Sequence, residues 1–212
     1  MVQATREHVI NDARPTPTPR ERRFIFSELL LFATLSLVAS FVLSHDALKL
    51  AADPDVDLAC SISVFIDCAK VGTTWQAEIF GFPNAFLGLI TEPVLMTIAV
   101  AGLAGSRFPR WLMFATNCGA LGGVIFAYWM LYQSTFVIGA LCPWCLVVTV
   151  STTFVFVAIT HWNLLENNLY LSGATHAKAV AFARGGGVAI ALIFWIALVV
   201  IIEAVRWVPA ML

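Results

Sequence analysis

Five long apolar stretches limit what this 212-residue chain can fold into. A membrane-spanning helix needs about 20 predominantly apolar residues. Stretches of that kind run over about 24–43, 85–105, 111–131, 142–162 and 185–205. Charged residues make up only 12% of the chain, against about 25% in soluble domains, so this much apolar surface cannot all be buried in a core. The sequence therefore predicts an all-α polytopic membrane protein.

The positions of Lys and Arg predict which side of the membrane each loop occupies, because cytoplasmic loops retain positive charge. Alternating the sides of five spans divides the basic residues nine against three. One side carries Arg6, Arg14, Arg20, Arg22, Arg23, Arg107, Arg110, Lys178 and Arg184, and the other carries Lys49, Lys70 and Arg206. We expect the N-terminus to be cytoplasmic, and the C-terminus, the loop 44–83 and the short loop around 132–135 to be extracytoplasmic.

The segment before the first span is polar, with Pro15, Pro17 and Pro19 alternating with Thr. It has too few apolar residues to fold, which predicts a disordered cytoplasmic tail over 1–23 and a membrane domain over 24–212. A cleaved signal peptide is the alternative, but the apolar run exceeds a usual signal core. The net charge of −1 and the lack of a phosphate-binding glycine motif argue against nucleotide or nucleic-acid partners.

The loop 44–83 is the one long segment outside the spans that has a structured composition. Its second half, 71–82, carries Trp75, Ile79, Phe80 and Phe82 among polar residues, which suits a short amphipathic element at the membrane surface. A solvated loop anchored by interfacial aromatic residues is the alternative. Loops of this length are commonly functional.

Four of the five cysteines fall on the predicted extracytoplasmic side, which is oxidising. Cys60 and Cys68 lie in the long loop, and Cys142 and Cys145 form a Cys-x-x-Cys pair at the start of the fourth span, whereas Cys118 is isolated within the third. Pro143 suits the first turn of a helix, so Cys142 lies where the helix dipole favours a thiolate. Two neighbouring dithiols can exchange electrons through mixed disulfides. A structural disulfide or a zinc site is the alternative reading of Cys-x-x-Cys, and two spans separate the cysteine pairs that would have to share the zinc.

At these residues the chain resembles the vitamin K epoxide reductase family, in particular its short bacterial members without a fused thioredoxin-like domain. The loop pair precedes the Cys-x-x-Cys pair, whereas the analogous DsbB family has the reverse order. The motifs that carry the resemblance are Cys68-Ala69-Lys70-Val71-Gly72-Thr73-Thr74-Trp75 and Gly81-Phe82-Pro83-Asn84. The likeness extends from the first span through the fourth, and a fifth span is also found in the actinobacterial forms.

The resemblance implies a four-helix bundle around a quinone pocket, with the fifth span outside it, in a bacterial plasma membrane. It implies that Cys60 and Cys68 exchange with an exported thioredoxin-fold (DsbA-like) partner supplied in trans. Cys68 would then attack Cys142, and Cys145 would reduce a membrane quinone, with menaquinone the preferred acceptor.

The resemblance also implies three quinone-site residues. Thr74 stands where the family usually has serine, and Asn84 matches an asparagine that holds a quinone oxygen. Thr149 occupies the position of a tyrosine in vertebrate members, which weakens any prediction of epoxide reduction. No metal is expected.

Acidic residues inside the spans suggest further functional positions. Glu92 either relays protons to the reduced quinone or bonds to a neighbouring helix, while Glu28 and Glu203 lie near span ends and are expected to reach the interface. His45, at the outer mouth, is expected to be exposed.

Taken together, the sequence predicts a membrane thiol oxidase that supports disulfide bond formation. The alternatives are a quinone or quinone-epoxide reductase, in which the thiol partner is only the reductant, and a non-catalytic membrane scaffold or transporter.

Overall fold

The computed structural model describes residues 17–211, and within this range seven α-helices form the fold. They are α1 (Pro19–Ala52), α2 (Cys68–Gly72), α3 (Ala85–Leu103), α4 (Arg110–Tyr132), α5 (Pro143–Leu165), α6 (Gly173–Arg184) and α7 (Gly187–Met211), with a 3₁₀-helix at Trp75–Glu78 and a π-helical segment at Gln133–Ile138. Five helices are long and apolar enough to cross a membrane: α1, α3, α4 with its π-helical extension, α5 and α7. The prediction of an all-α polytopic membrane protein is confirmed.

The first helix is longer at both ends than the apolar stretch 24–43 predicted. The Thr18 hydroxyl accepts a hydrogen bond from the Glu21 backbone N–H, and the Glu21 carboxylate accepts one from the Thr18 N–H, so a capping box starts α1 at Pro19. Residues 19–23 are therefore helical, so the prediction of a disordered tail over 1–23 is wrong for these five residues. Residues 1–16 lie outside the described range. At the other end, 44–52 is helix instead of loop.

The length of α1 has a direct consequence for the loop that follows it. Thirty-four residues extend about 51 Å at the rise of an α-helix, against a hydrocarbon thickness of about 30 Å. The helix therefore extends beyond the membrane-spanning part of the bundle, and its last turns pack beside the cysteine-containing loop. Leu50 near its end is buried against Leu58 and Val71 of that loop.

The bundle consists of α1, α3, α4 and α5, with α1 packed on α3 and α5, and α4 packed on α5. A Cβ atom at Gly88 or at Gly102 of α3 would overlap the side chain of Ser40 or of Phe26 on α1. Small residues at these positions let α1 and α3 approach closely, as is common for membrane helices. Phe26 and Trp162 make an aromatic contact in the core between α1 and α5, with 4.7 Å between ring centroids.

The connection between α4 and α5 differs from the predicted loop around 132–135. The helix continues as a π-helical segment to Ile138, and Ser134 and Thr135 are both buried within it. Gly139 ends the segment with a φ of 67°, a conformation that glycine adopts without strain. A further helix, α6, lies between α5 and α7 and was not predicted from the sequence. The last helix, α7, begins at Gly187.

The fifth span, α7, lies against the edge of the bundle and is held there by polar contacts. The Thr135 hydroxyl lies 3.1 Å from both carboxylate oxygens of Glu203, and the Trp207 indole N–H donates to the same carboxylate at 2.9 Å. Glu203 joins α7 to the π-helical segment through Thr135, a contact that the sequence does not predict. A buried hydroxyl and an indole N–H need an acceptor, which explains this placement.

Replacing Glu203 with Leu should therefore destabilise the protein. The change leaves the Thr135 hydroxyl and the Trp207 N–H without their acceptor, at a cost of about 1–3 kcal/mol. We expect the melting temperature in detergent to fall by about 2–4 °C for each kcal/mol. Ile201→Leu, at an exposed position of the same helix, is the matched control and should change little. Equal melting temperatures for the two variants would contradict the anchoring role of Glu203.

Candidate active site

Four cysteines meet at one end of the bundle, where α1 ends and α3 and α5 begin; we call it the cysteine end. Cys60 and Cys68 form a disulfide with 5.6 Å between their Cα atoms, and Cys142 and Cys145 are free thiols. The Sγ atoms of Cys68 and Cys142 are 3.7 Å apart, although 74 residues separate them in sequence. The two cysteine pairs are therefore in contact.

A short parallel bridge brings the two pairs together. The Leu141 N–H donates to the Phe65 carbonyl oxygen at 2.7 Å, and the Asp67 N–H donates to the Leu141 carbonyl oxygen at 3.1 Å. Ile66 and Leu141 thus pair as isolated bridge residues. Because Leu141 precedes Cys142 and Asp67 precedes Cys68, pairing the backbones places the two sulfur atoms side by side.

The loop segment that makes this bridge is also supported by α7. Trp207 is buried, and its ring packs edge-on against Phe65 with 6.3 Å between centroids. The Glu203 carboxylate that anchors α7 accepts the Trp207 N–H. The fifth span therefore contacts the same loop residue whose carbonyl oxygen binds Leu141.

Both contacting cysteines lie at helix N-termini, where backbone N–H groups favour a thiolate. Cys68 is the first residue of α2, which Asp67 caps by accepting the Lys70 N–H. Cys142 caps α5, and its sulfur accepts the Cys145 N–H at 3.3 Å. A hydrogen bond from the Cys145 side chain lowers the pKa of Cys142 most; burial opposes this, and the backbone N–H groups of Trp144 and Cys145 add to it.

The sulfur atoms are shielded from solvent by apolar side chains. Cys60, Cys68 and Cys142 are only 6%, 4% and 1% exposed, in a cluster that also contains Leu50 and Val71. The tip of the loop between the two loop cysteines has the opposite character, because Ile62 and Val64 are more than 70% exposed. Access to the disulfide therefore requires movement of the loop.

Asp46 is a site residue that the sequence did not single out. Its carboxylate Oδ2 lies 3.7 Å from Cys60 Sγ, and Oδ1 lies 3.7 Å from His45 Nδ1. Once Cys60 is reduced, this carboxylate is placed to accept a hydrogen bond from its thiol. The sequence does not indicate that Asp46 lies on a helix facing the loop, because His45 and Asp46 end the apolar run although the helix continues through them. His45 itself is exposed, as expected.

A large cavity opens beneath the cysteines, inside the four-helix bundle. Its volume is about 910 Å³, and Cys68, Cys142 and Cys145 all line it. The remaining lining is mainly apolar and includes Leu43, Val71, Phe80, Phe126, Trp129 and Met130. A pocket of this size and character can hold a flat apolar molecule against the Cys-x-x-Cys pair.

The three residues expected at a quinone site are placed differently from one another. Asn84 and Thr149 line the cavity, whereas Thr74 lies outside the lining and its hydroxyl donates to the Val71 carbonyl oxygen at 2.7 Å. The Thr149 hydroxyl donates to the Cys145 carbonyl oxygen at 2.8 Å. Asn84 Nδ2 donates to the Gln76 carbonyl oxygen at 2.6 Å, while its buried Oδ1 has no hydrogen-bond partner.

Two cavity residues from different helices form a pair that the sequence indicated only in part. The Ser36 hydroxyl donates to Glu92 Oε1 at 2.7 Å, linking α1 to α3. Glu92 was expected either to relay protons or to bond to a neighbouring helix, and the bond to a neighbouring helix is present. Ser36 could not have been identified from sequence because a serine in an apolar span has no distinctive spacing.

Comparison with known proteins agrees with this geometry. The profile described as the vitamin K epoxide reductase family matches residues 28–160. This chain belongs to the vitamin K epoxide reductase family. The match covers most of the bundle and all four clustered cysteines, and it ends before α6 and α7. No curated protein compared with this chain gives a significant match.

Family membership identifies a membrane oxidoreductase that works by thiol–disulfide chemistry. The contact between Cys68 and Cys142 fits this chemistry, because a thiolate must approach a disulfide sulfur closely to attack it. The fifth cysteine, Cys118, is a free thiol that is exposed on α4 and lies outside the cluster.

Cys142 should react at lower pH than an ordinary cysteine, whose pKa is about 8.5. We expect the rate of its alkylation by iodoacetamide, followed by mass spectrometry at residue 142 in reduced protein, to reach half its plateau below that pH. Cys145→Ala removes the main stabilising donor and should move the midpoint upward. A midpoint at or above about 8.5 in both proteins would contradict the assignment of Cys142 as the stabilised thiolate.

Proposed function

We propose that this chain is a membrane thiol oxidase that takes electrons from a reduced thioredoxin-fold partner and delivers them to a membrane quinone. The contact of 3.7 Å between Cys68 and Cys142, directly above an apolar cavity, is the observation that supports this most strongly. The loop pair includes Cys60, which lies outside the cavity lining, whereas both cysteines of the Cys-x-x-Cys pair line the cavity, so the cluster would connect two different substrates.

The proposed exchange is balanced in bonds and electrons. The partner's dithiol reduces the Cys60–Cys68 disulfide and leaves as a disulfide. The Cys68 thiolate attacks Cys142 of an oxidised Cys142–Cys145 pair, forming the Cys68–Cys142 bond and releasing the Cys145 thiolate. Cys60 then attacks Cys68, restoring the loop disulfide and releasing Cys142. The arrangement in the structure, with the loop pair oxidised and Cys142 and Cys145 free, corresponds to the product of this exchange.

The residues of the cavity fit a quinone. Its volume lies in the range of ligand pockets, its lining is mainly apolar, and it contains two buried polar atoms without partners, Asn84 Oδ1 and Glu92 Oε2. A bound quinone supplies an acceptor for two electrons and two protons, which returns Cys142 and Cys145 to a disulfide. Asn84 and Thr149 would line the space beside the Cys-x-x-Cys pair in which the quinone binds, and the aromatic residues Phe80 and Trp129 would exclude water.

Menaquinone is the acceptor we propose, on the resemblance to actinobacterial members of the family. The orientation we propose follows the distribution of Lys and Arg, with the N-terminus in the cytoplasm of a bacterium and the cysteine end and C-terminus outside it. This orientation exposes the loop disulfide to exported proteins, where a DsbA-like partner would meet it in trans.

The partner must first displace the loop, because Cys60 is only 6% exposed. Ile62 and Val64 lie between the two loop cysteines in sequence, and their exposed side chains provide an apolar surface for a partner to contact. A partner that covers this tip can pull Cys60 out of its buried cluster and bring its own thiolate to the disulfide.

Turnover should require both contacting cysteines. With purified protein, a reduced thioredoxin-fold dithiol and a short-chain menaquinone, we expect Cys68→Ser and Cys142→Ser each to lower the rate of quinone reduction by at least about a hundredfold, because a serine hydroxyl does not replace a thiolate in exchange. Cys145→Ser should have the same effect. Cys118→Ser is the matched control outside the cluster and should leave the rate unchanged.

Each departure from this pattern has a definite meaning. Turnover that survives Cys68→Ser would show that the partner reaches Cys142 directly, which removes the relay. A wild-type protein that reduces no quinone, and whose cysteine variants change stability alone, would favour a scaffold.

Epoxide or quinone reduction as the main role is the remaining alternative. Thr149 stands where vertebrate members have tyrosine, and its hydroxyl is bonded to its own helix, which disfavours epoxide chemistry. The proposed oxidase should restore disulfide formation in a bacterial strain that lacks its disulfide oxidase, and a quinone-epoxide reductase with no suitable exported partner should not.

A further inference from the structure

Glu92 is a buried acid in the wall of the cavity that the proposed thiol relay does not use. Its side chain is only 5% exposed, and it lies in α3 directly before Pro93. The Ser36 hydroxyl satisfies Oε1, but Oε2 is buried and has no hydrogen-bond partner among the described residues. Buried polar groups normally have partners, so an unpaired oxygen on a ligand cavity calls for a physical explanation.

The surroundings favour a carboxylic acid that can donate from Oε2. The described residues that line the cavity include neither Lys nor Arg, so no cation there pairs with a carboxylate. An isolated charge in such a setting is strongly disfavoured. A neutral Glu92 accepts from Ser36 at one oxygen and presents an O–H group at the other.

Most other hydroxyl donors on the cavity wall are already engaged, the exception among the described residues being Ser40, whose hydroxyl makes no hydrogen bond. Four threonines line the cavity, and each donates to a backbone carbonyl oxygen of its own helix; these are Thr91, Thr116, Thr149 and Thr152. Asn84 donates from Nδ2 to the Gln76 carbonyl oxygen, and its unpaired atom Oδ1 is an acceptor. A ligand carbonyl oxygen needs a donor, and Glu92 can supply one.

The depth of Glu92 fits the far side of a quinone ring. It follows Asn84, which lies just before α3, by eight residues, or about 12 Å along the helix axis. Side chains on a helix lean toward its N-terminus, which on α3 is the cysteine end. The carboxyl group therefore lies deeper in the bundle than Asn84, on the wall of the same cavity as Cys145, and its bond to Ser36 holds it there.

We infer that Glu92 is a second polar contact of the quinone site, donating a hydrogen bond to the ring carbonyl oxygen that points away from Cys145. This inference rests on the proposed function, because it takes the cavity to be a quinone site. It assigns Ser36 the role of a positioning residue, which fixes the Glu92 side chain through Oε1. The site then prefers ring systems with two opposed carbonyl groups over apolar rings of the same shape.

The test measures binding instead of turnover. The protein carries Cys145→Ser, so it cannot complete the reaction. Its dissociation constants for 2,3-dimethyl-1,4-naphthoquinone and for 2,3-dimethylnaphthalene are measured by equilibrium dialysis against empty micelles and compared. The first has two carbonyl groups and blocked ring positions that do not add thiols, and the second has the same outline without oxygen. The ratio of their dissociation constants isolates the carbonyl contacts.

We expect Glu92→Leu to weaken binding of the naphthoquinone about tenfold and to leave binding of the hydrocarbon within about twofold, as the loss of one buried hydrogen bond requires. Glu92→Gln should stay close to the parent protein, because its amide can accept from Ser36 and donate to the ligand. Ser36→Ala should weaken quinone binding less than Glu92→Leu, since the donor oxygen remains.

Two results would overturn the inference in different ways. Equal weakening for both ligands in Glu92→Leu would show that Glu92 only maintains the shape of the cavity. Failure of the parent protein to bind the naphthoquinone better than the hydrocarbon would instead overturn the quinone site itself, and the proposed function with it. Glu92→Gln, which keeps the Ser36 bond, guards against confusing either result with misfolding.

Discussion

The two backbone hydrogen bonds of Leu141 are the constraint on which the site depends. They hold the loop segment containing Phe65 and Asp67 against the chain just before Cys142. Exchange between cysteine pairs that are remote in sequence requires the sulfur atoms to approach each other, and side-chain packing alone would leave a loop of this length with many positions. Backbone pairing fixes the register, and the distance of 3.7 Å between Cys68 and Cys142 follows from it.

The surrounding structure supports this bridge from three directions. The extension of α1 provides Leu50 beneath the loop, the π-helical segment leads into Gly139 and the turn before Leu141, and α7 places Trp207 against Phe65. The bridge is nevertheless short, with two bonds instead of a ladder. A short bridge suits a loop that must hold a disulfide over the bundle and also release it to a partner. The cavity below is lined both by the bundle helices and by loop residues such as Val71 and Phe80, so movement of the loop also changes one wall of the cavity.

Sequence reasoning was most successful where one residue type has a direct physical requirement. Long apolar runs require spanning helices, and the Cys-Pro-Trp-Cys motif places Cys142 at a helix start, where it lies as the cap of α5. It was less successful where polar residues continue a helix beyond its apolar stretch. The helix continues through His45 and Asp46 because a helix leaving the membrane needs no apolar residues. The acceptor role of Glu203 was not predicted because it depends on Thr135 of the π-helical segment, which a single sequence does not place beside it.

The relay is tested most directly by trapping its mixed disulfide. A protein carrying Cys60→Ser, Cys118→Ser and Cys145→Ser keeps only the thiols of Cys68 and Cys142. We expect mild oxidation to join these two thiols within one chain, as detected by mass spectrometry of the linked peptides and by protection from alkylation. If both thiols stayed fully open to alkylation after oxidation, with the protein folded, the contact between the pairs would not exist in the membrane protein and the relay would be wrong.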